Sequence, residues 1–320
     1  MINEKRRKHS VLWGVIYIIT FLVVFALSAI IKMTADPFHG AYKVEWDDSV
    51  GTVQTDFSYG SRESNKFDLY LPADNAKESY GLIVYLHAGG FTSGDKSDDA
   101  EMLKWLCSKG YVTAGINYTL RTEENNASVY SQSEEIKEAI PYVIEEAKRL
   151  GYKLDRMAIS GGSAGGTLAL LYAYREADTS PIPVKMVFEM VGPASFYHED
   201  WTSYGLDKSS EAAAELFGIM SGSTITADMI EAHDYKDEVK PISADMWVNE
   251  NTVPTLIAYG KCDKVCPFGT VKHLVNALEA SNVPYDYIEF PHSGHGLQND
   301  NKLYKEYMEL IDVYLEKYVN

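Results

Sequence analysis

The apolar positions of the chain fall into two patterns, one near its start and one over the remainder. From Val11 to Ile31, 21 residues run without a charge, VLWGVIYIITFLVVFALSAII. At 1.5 Å per residue this run matches a hydrocarbon core roughly 30 Å thick, and it predicts a transmembrane helix. From residue 51 onward the apolar runs are short and switch between strand-like and helix-like spacing. Two strands are expected first, Gly51–Tyr59 and Lys66–Leu71. The second sets Phe67, Leu69 and Leu71 on one face and stops at Pro72, which suits an antiparallel edge. The run LIVYLH at 82–87 is continuously apolar, as in a parallel strand buried on both faces.

After that run, helix and strand patterns alternate. Helix is expected over 100–109, strand over 111–118, helix over 133–150, strand over 157–160, helix over 166–175 and strand over 184–191. The alternation resumes with strand 255–259, helix 268–280, strand 285–290 and a final helix from Asn301. This order predicts an α/β fold with a doubly wound, mostly parallel sheet. Between about 193 and 252 the pattern lapses into short helical pieces carrying Trp201, Tyr204, Phe217 and Trp247, and this stretch is expected to be a lid insertion. The chain thus divides into a basic cytoplasmic segment (1–10), an anchor (11–31), a linker (32–50) and one α/β domain (51–320).

Charge orients this plan. Lys5, Arg6, Arg7 and Lys8 precede the apolar run and belong on the cytoplasmic side, which places the domain outside the membrane. A cleaved signal peptide is the competing reading, because Ala26, Ser28 and Ala29 are small; it would release a secreted domain. The run is longer than the usual 7–15-residue apolar region of such peptides, which favours the uncleaved anchor. The formal charge is −17, and beyond residue 31 the chain holds 25 basic and 45 acidic residues, a surface that repels nucleic acid. With 320 residues and 46% hydrophobic content it can bury one large core. The three cysteines, Cys107, Cys262 and Cys266, exclude a disulfide-built scaffold and give no four-ligand zinc spacing, so no metal is expected. Cys262 and Cys266 are read as two buried thiols rather than a local bridge.

The chemistry centres on GGSAGG at 161–166, where Ser163 sits two residues from Gly161 and from Gly165. The flanking patterns place it on a strand-to-helix turn. There a strained serine lifts its hydroxyl clear of the sheet, and the Ala164 N–H at the helix start faces a developing oxyanion. A capping serine in a glycine-rich loop would look the same in isolation, so the rest of the chain decides. Serine needs a base, and the base needs a carboxylate to hold its tautomer. In a doubly wound sheet the places to search are the turns beyond the later strands. GKCDKVCP at 260–267 offers Asp263 as acid, and HSGHG at 292–296 offers His295 as base. His292 is the rival base. The rival acids Asp286 and Glu289 lie within the last strand and point across the sheet rather than off its end. HAGGF at 87–91 supplies the second oxyanion donor from the N–H groups of Gly89 and Gly90. His87, Phe91, Gly162 and Tyr118 are the residues expected to border the substrate.

These four motifs, in this order over roughly residues 50–318, resemble the α/β-hydrolase superfamily, and within it the HGGG-type carboxylesterases that include the hormone-sensitive-lipase-like and BD-FAE-like esterases. The resemblance implies a Ser163–Asp263–His295 triad, an acyl-serine intermediate and no cofactor. Ala88 departs from it, standing where that branch usually has a glycine. The expected function is a membrane-anchored serine carboxylester hydrolase acting on a small or medium acyl ester. Two alternatives stand beside it. A prolyl-oligopeptidase-type serine peptidase shares the catalytic order, but that family usually adds a propeller for which the chain has no room. A non-catalytic binding module on the same fold is the other.

Overall fold

The computed structural model describes residues 42–320; the predicted cytoplasmic segment, the anchor at 11–31 and the first part of the linker lie outside the described residues. Among the described residues no helix is long and apolar enough to cross a membrane. They build one eight-stranded sheet: β1 (Gly51–Ser58), β2 (Lys66–Pro72), β3 (Tyr80–Leu86), β4 (Val112–Ile116), β5 (Leu154–Gly162), β6 (Val184–Met190), β7 (Thr255–Gly260) and β8 (Tyr285–Phe290). The spatial order is β1-β2-β4-β3-β5-β6-β7-β8. β2 runs antiparallel to both β1 and β4, and every other pairing is parallel.

The apolar runs explain the order. β3, β4 and β7 are buried at every position and lie inside the sheet, whereas the edge strand β1 is largely exposed. Leu82, Ile83, Val84 and Leu86 are completely buried, each contributing about 1.5–3 kcal/mol relative to an exposed side chain. Helices α1 (Ala100–Ser108) and α8 (Asn301–Tyr318) pack on the sheet, as do α2 (Val129–Arg149) and α3 (Ala164–Leu171), while α7 (Gly269–Ala280) joins β7 to β8. From β3 the chain winds first to β4 on one side and then to β5 on the other. The crevice beyond the carboxyl ends of β3 and β5 is therefore the topological switch point, where open α/β sheets bind ligands.

Several boundaries differ from the sequence pattern, most of all those of α2, α3 and β5. α2 begins at Val129 rather than at Ser133. Ser128 Oγ accepts the N–H of Ser131 at 3.1 Å, and Ser131 Oγ accepts the N–H of Ser128 at 2.9 Å, a reciprocal cap built from two serines in place of Ser and Glu. α3 begins at Ala164, directly after the nucleophile candidate, and passes at Tyr172–Glu176 into a π-helical turn. β5 extends beyond 157–160 at both ends.

Between β6 and β7 the chain forms α4 (Ser210–Ser221), α5 (Ala227–Ala232), α6 (Lys236–Val239) and several 3₁₀ turns. This segment has an aromatic core of its own. Phe196 stacks on Trp201 with centroids 5.4 Å apart and meets Phe217 edge-on at 5.8 Å, and Phe217 stacks on Tyr235 at 6.0 Å.

Candidate active site

β5 delivers Ser163 to the turn into α3 with φ 54° and ψ −120°, a conformation that costs an L-residue about 1–3 kcal/mol and persists only where its surroundings impose it. They do so here. The Ser163 N–H donates to Met190 O at 2.8 Å, and the Thr167 N–H donates to Ser163 O at 3.1 Å. The motif glycines let strand and helix touch: a Cβ on Gly165 would lie 2.0 Å from Leu86 O. The N–H of Ala164 opens α3 and has no intrahelical acceptor.

Ser163 Oγ lies 2.9 Å from His295 Nε2, and His295 Nδ1 lies 2.8 Å from Asp263 Oδ2. The Asp263 side chain is fully buried, while that of His295 is 28% exposed. The other Asp263 oxygen accepts the N–H groups of Val265 at 2.8 Å and Cys266 at 3.0 Å. A carboxylate oriented in this way holds the proton on Nδ1 and leaves Nε2 as the acceptor facing the serine hydroxyl. The three side chains come from the turns after β5, β7 and β8, all at the sheet's carboxyl edge, with β6 lying between β5 and β7. The rivals are occupied elsewhere. His292 Nδ1 pairs with Asp300 at 2.7 Å, Asp286 accepts the Tyr314 hydroxyl, and Glu289 pairs with Lys261 at 3.0 Å.

The turn after β3 carries three consecutive positive φ values, Gly89 at 125°, Gly90 at 60° and Phe91 at 68°. A Cβ on Gly89 would strike Ser93 O at 2.0 Å. Ala88 stays outside the left-handed region, so the departure from HGGG sits where alanine fits. The turn's internal bonds run from the N–H groups of Thr92 and Ser93 to Gly89 O, which leaves the Gly89 and Gly90 amides out of them. Because β3 and β5 are paired in parallel with Leu86 opposite Gly161, this turn flanks Ser163.

A cavity of about 260 Å³ opens between the two turns, lined by Gly90, Phe91, Ser163 and Ala164 on the sheet side. Its other wall comes from the segment between β6 and β7, through Trp201, Tyr204, Leu216, Ile219 and Met220. Of the four residues expected to border the substrate, Phe91 lines this cavity and the other three do not. His87 and Tyr118 are buried behind the turn, with rings stacked 4.3 Å apart. His87 Nδ1 donates to Ala88 O at 2.7 Å and the Tyr118 hydroxyl donates to His87 O at 3.0 Å. Burial holds the His87 pKa below the ordinary imidazole value, so the ring is a neutral brace for the turn rather than a wall of the pocket. Gly162 ends β5, offers no side chain and faces Tyr85 and Met190.

Several residues near the site carry no sequence signal. Gln132, on α2, donates through Nε2 to Phe91 O at 2.9 Å and to Thr119 O at 2.8 Å, and the Arg121 N–H also donates to Phe91 O at 3.0 Å. These bonds pin Phe91, the last of the three positive-φ residues of the turn after β3. Glu189 is completely buried on β6 and accepts the Gly192 N–H at 2.8 Å, and burial pushes its carboxyl up to about 8. The pair of cysteines is split. Cys266 is buried with Sγ 3.9 Å from Ser163 Oγ, and burial pushes its thiol up; Cys262 is exposed, contrary to the expectation of two buried thiols. No bridge joins them.

The BD-FAE family profile matches residues 67–278, about two thirds of the chain. The ethyl acetate hydrolase of Pseudomonas putida is 24% identical over 233 residues, covering 70% of this chain and 70% of that protein. Esterase LipI of Mycobacterium tuberculosis is 29% identical over 111 residues, 34% of this chain and only 33% of LipI. Among solved structures, a truncated carbohydrate esterase from gut microbiota superposes with a TM-score of 0.68 at 20% identity, over 86% of this chain and 98% of that one, a likeness of fold. The chain belongs to the BD-FAE family, and with it to the serine-type carboxylester hydrolases of the α/β-hydrolase fold.

Proposed function

We propose that the chain is a membrane-anchored esterase that cleaves small or medium acyl esters through an acyl-serine intermediate. The observation that carries this reading is the relay from Asp263 through His295 to Ser163, at 2.8 and 2.9 Å, opening onto an apolar cavity. Ser163 Oγ attacks the ester carbonyl while His295 Nε2 takes its proton. Asp263 keeps the imidazole oriented and stabilises the imidazolium that forms. The N–H groups of Gly89, Gly90 and Ala164 receive the oxyanion, each donor of this type being worth about 10²–10³ in turnover. His295 returns its proton to the leaving alcohol, then activates water to release the acid and restore Ser163.

Cavity size supports a short acyl chain, since about 260 Å³ falls below the ~300–1,000 Å³ common for drug-sized ligands. The ethyl acetate hydrolase relative points the same way. The segment between β6 and β7 serves as the lid of this pocket, through Trp201 and the α4 residues that wall it. The apolar run at 11–31 behind Lys5–Lys8 supports an anchor with the domain on the outer face.

The test is hydrolysis of p-nitrophenyl esters from acetate to long chains by the full chain in detergent, beside Ser163→Ala. Serine-dependent turnover peaking at short chains is expected. A folded protein without serine-dependent turnover on any ester would sink the proposal. Protease protection of tagged termini in intact cells tests the orientation, with the C-terminus expected to be accessible from outside.

A further inference from the structure

Away from the triad, the segment between β6 and β7 gathers two histidines and a glutamate that no catalytic step uses. His198 and Glu199 lie in the 3₁₀ turn His198–Asp200, and His233 caps the C-terminus of α5 in the left-handed conformation, φ 57°. His198 Nδ1 is 3.3 Å from Glu199 Oε2, and His233 Nδ1 is 3.3 Å from Glu199 Oε1. The imidazole centroids are 5.4 Å apart, and one ligand atom from each residue falls within 4.8 Å of the other two. His198 is mostly covered, while Glu199 and His233 are about half exposed, which leaves an approach from solvent.

We propose that His198, Glu199 and His233 form a binding site for a zinc-class divalent cation that clamps the wall of the substrate pocket. Zinc bonds of about 2.0–2.2 Å to nitrogen and oxygen put neighbouring ligand atoms of a tetrahedron about 3.3–3.5 Å apart, and each histidine nitrogen stands at that spacing from one oxygen of Glu199, His198 from Oε2 and His233 from Oε1, so the carboxylate offers both oxygens to the ion. Two imidazoles and one carboxylate suit zinc and its transition-metal neighbours rather than calcium or magnesium, which want oxygen donors. A water completes the shell on the open side. Tyr235 OH accepts the His198 N–H at 3.1 Å and lies 3.3 Å from His198 Nδ1, so the ion displaces one hydrogen bond at that nitrogen.

The position gives the site a consequence. Glu199 is followed by Asp200, which pairs with His273 at 2.7 Å, and then by Trp201 and Tyr204, which line the cavity. An ion shared between the 198–200 turn and the end of α5 ties the pocket wall to the helix behind it. Sequence spacing gave no warning, because the histidines lie far apart in the chain and only one of them neighbours the glutamate.

Isothermal titration of the metal-free full chain with zinc chloride tests this directly, with calcium chloride as comparison. One zinc per chain and no calcium response are expected, with the thermal midpoint raised by about 5 °C at a hundredfold excess over Kd. His233→Asn, which keeps a residue tolerant of the left-handed region, and Glu199→Gln should each weaken binding at least tenfold. His292→Ala should leave it unchanged. Cobalt substituted at the site should show visible bands of a four- or five-coordinate ion, lost in His233→Asn. No saturable zinc binding would overturn the proposal. So would binding that survives both His233→Asn and Glu199→Gln, or that disappears instead in Cys262→Ser or His292→Ala.

Discussion

The two walls of the cavity are built on different principles. On one side stand the turns after β3, β5, β7 and β8, whose geometry is dictated by the backbone: Ser163 at φ 54°, Gly89 at 125°, and a Gly165 against which Leu86 O leaves no space for a methyl group. On the other side stands the segment between β6 and β7, where Trp201, Leu216, Ile219 and Met220 reach the cavity from short helices and turns packed on Phe196, Phe217 and Tyr235. The first wall, which holds the proposed reacting groups, tolerates little; the second has room to vary. On the proposed function, chemistry rests on strained, over-determined turns and selectivity on ordinary side-chain packing.

The sharpest way to break that division is to remove the groups assigned to chemistry. Ser163→Ala or His295→Ala should lower kcat by about 10⁴–10⁶ with the fold intact, measured on a short p-nitrophenyl ester beside a circular dichroism spectrum. A loss below tenfold would move the chemistry elsewhere. Gly165→Ala comes next. Its Cβ would sit 2.0 Å from the Leu86 carbonyl oxygen, which belongs to a central strand and has no freedom to yield. The elbow must then open, and a loss of at least about 1–3 kcal/mol by denaturant titration is expected together with loss of activity. An active, fully stable Gly165→Ala would show that the contact between strand and helix is not required.

The same division explains what was legible in the sequence. Gly89, Gly90 and the glycines around Ser163 are required by positive φ or by close backbone contact, and Asp263 and His295 lie in the turns directly after strands β7 and β8; such constraints leave local motifs. The sheet was equally readable, because burial on both faces requires the continuous apolar runs of β3 and β7. Gln132, which pins Phe91 O from the middle of α2, left no trace, since a buried glutamine on a helix looks like any surface polar residue until its partners are known. His87 and Tyr118 were misplaced into the pocket for the converse reason: one heads the motif and the other follows β4, but their rings stack beneath the turn instead of above it. Of the pocket wall, the segment and its aromatics Trp201 and Tyr204 were legible, but Leu216, Ile219 and Met220 were not, because packing partners have no fixed spacing.

A smaller effect probes the second wall. Ile219 lines the cavity and is 36% exposed, so a larger side chain there fills the pocket without disrupting a core. Ile219→Trp should leave acetate hydrolysis within about twofold and reduce kcat/KM on longer acyl chains about tenfold or more, as expected when about 1–3 kcal/mol of apolar binding is blocked. A uniform fall across all chain lengths would mean that α4 acts on the chemistry as well as on the fit.

The gentlest test asks whether the two regions titrate separately. Burial pushes carboxyl groups up in both, Glu189 on β6 to about 8 and Asp99 before α1 to about 7 in the first region, and Asp245 in the intervening segment to about 6, against ordinary values of 4.5, 3.8 and 3.8. Between its ordinary and its raised value, each group keeps a proton in the folded protein that the unfolded chain has released. The stability that each contributes is therefore complete below the ordinary value, falls as pH rises through the window, and levels off above the raised value. For Glu189 the window runs from 4.5 to about 8, and for Asp245 from 3.8 to about 6. Glu189→Gln retains an acceptor for the Gly192 N–H and should make the stability profile shallower up to about pH 8, with Asp99 still sloping it below about 7, whereas Asp245→Asn should make it shallower only below about 6. Urea titrations of both variants across pH 4.5–9 read the difference. Identical profiles would mean that the protein responds to pH as one unit, and that the separation between its two walls is a matter of geometry alone.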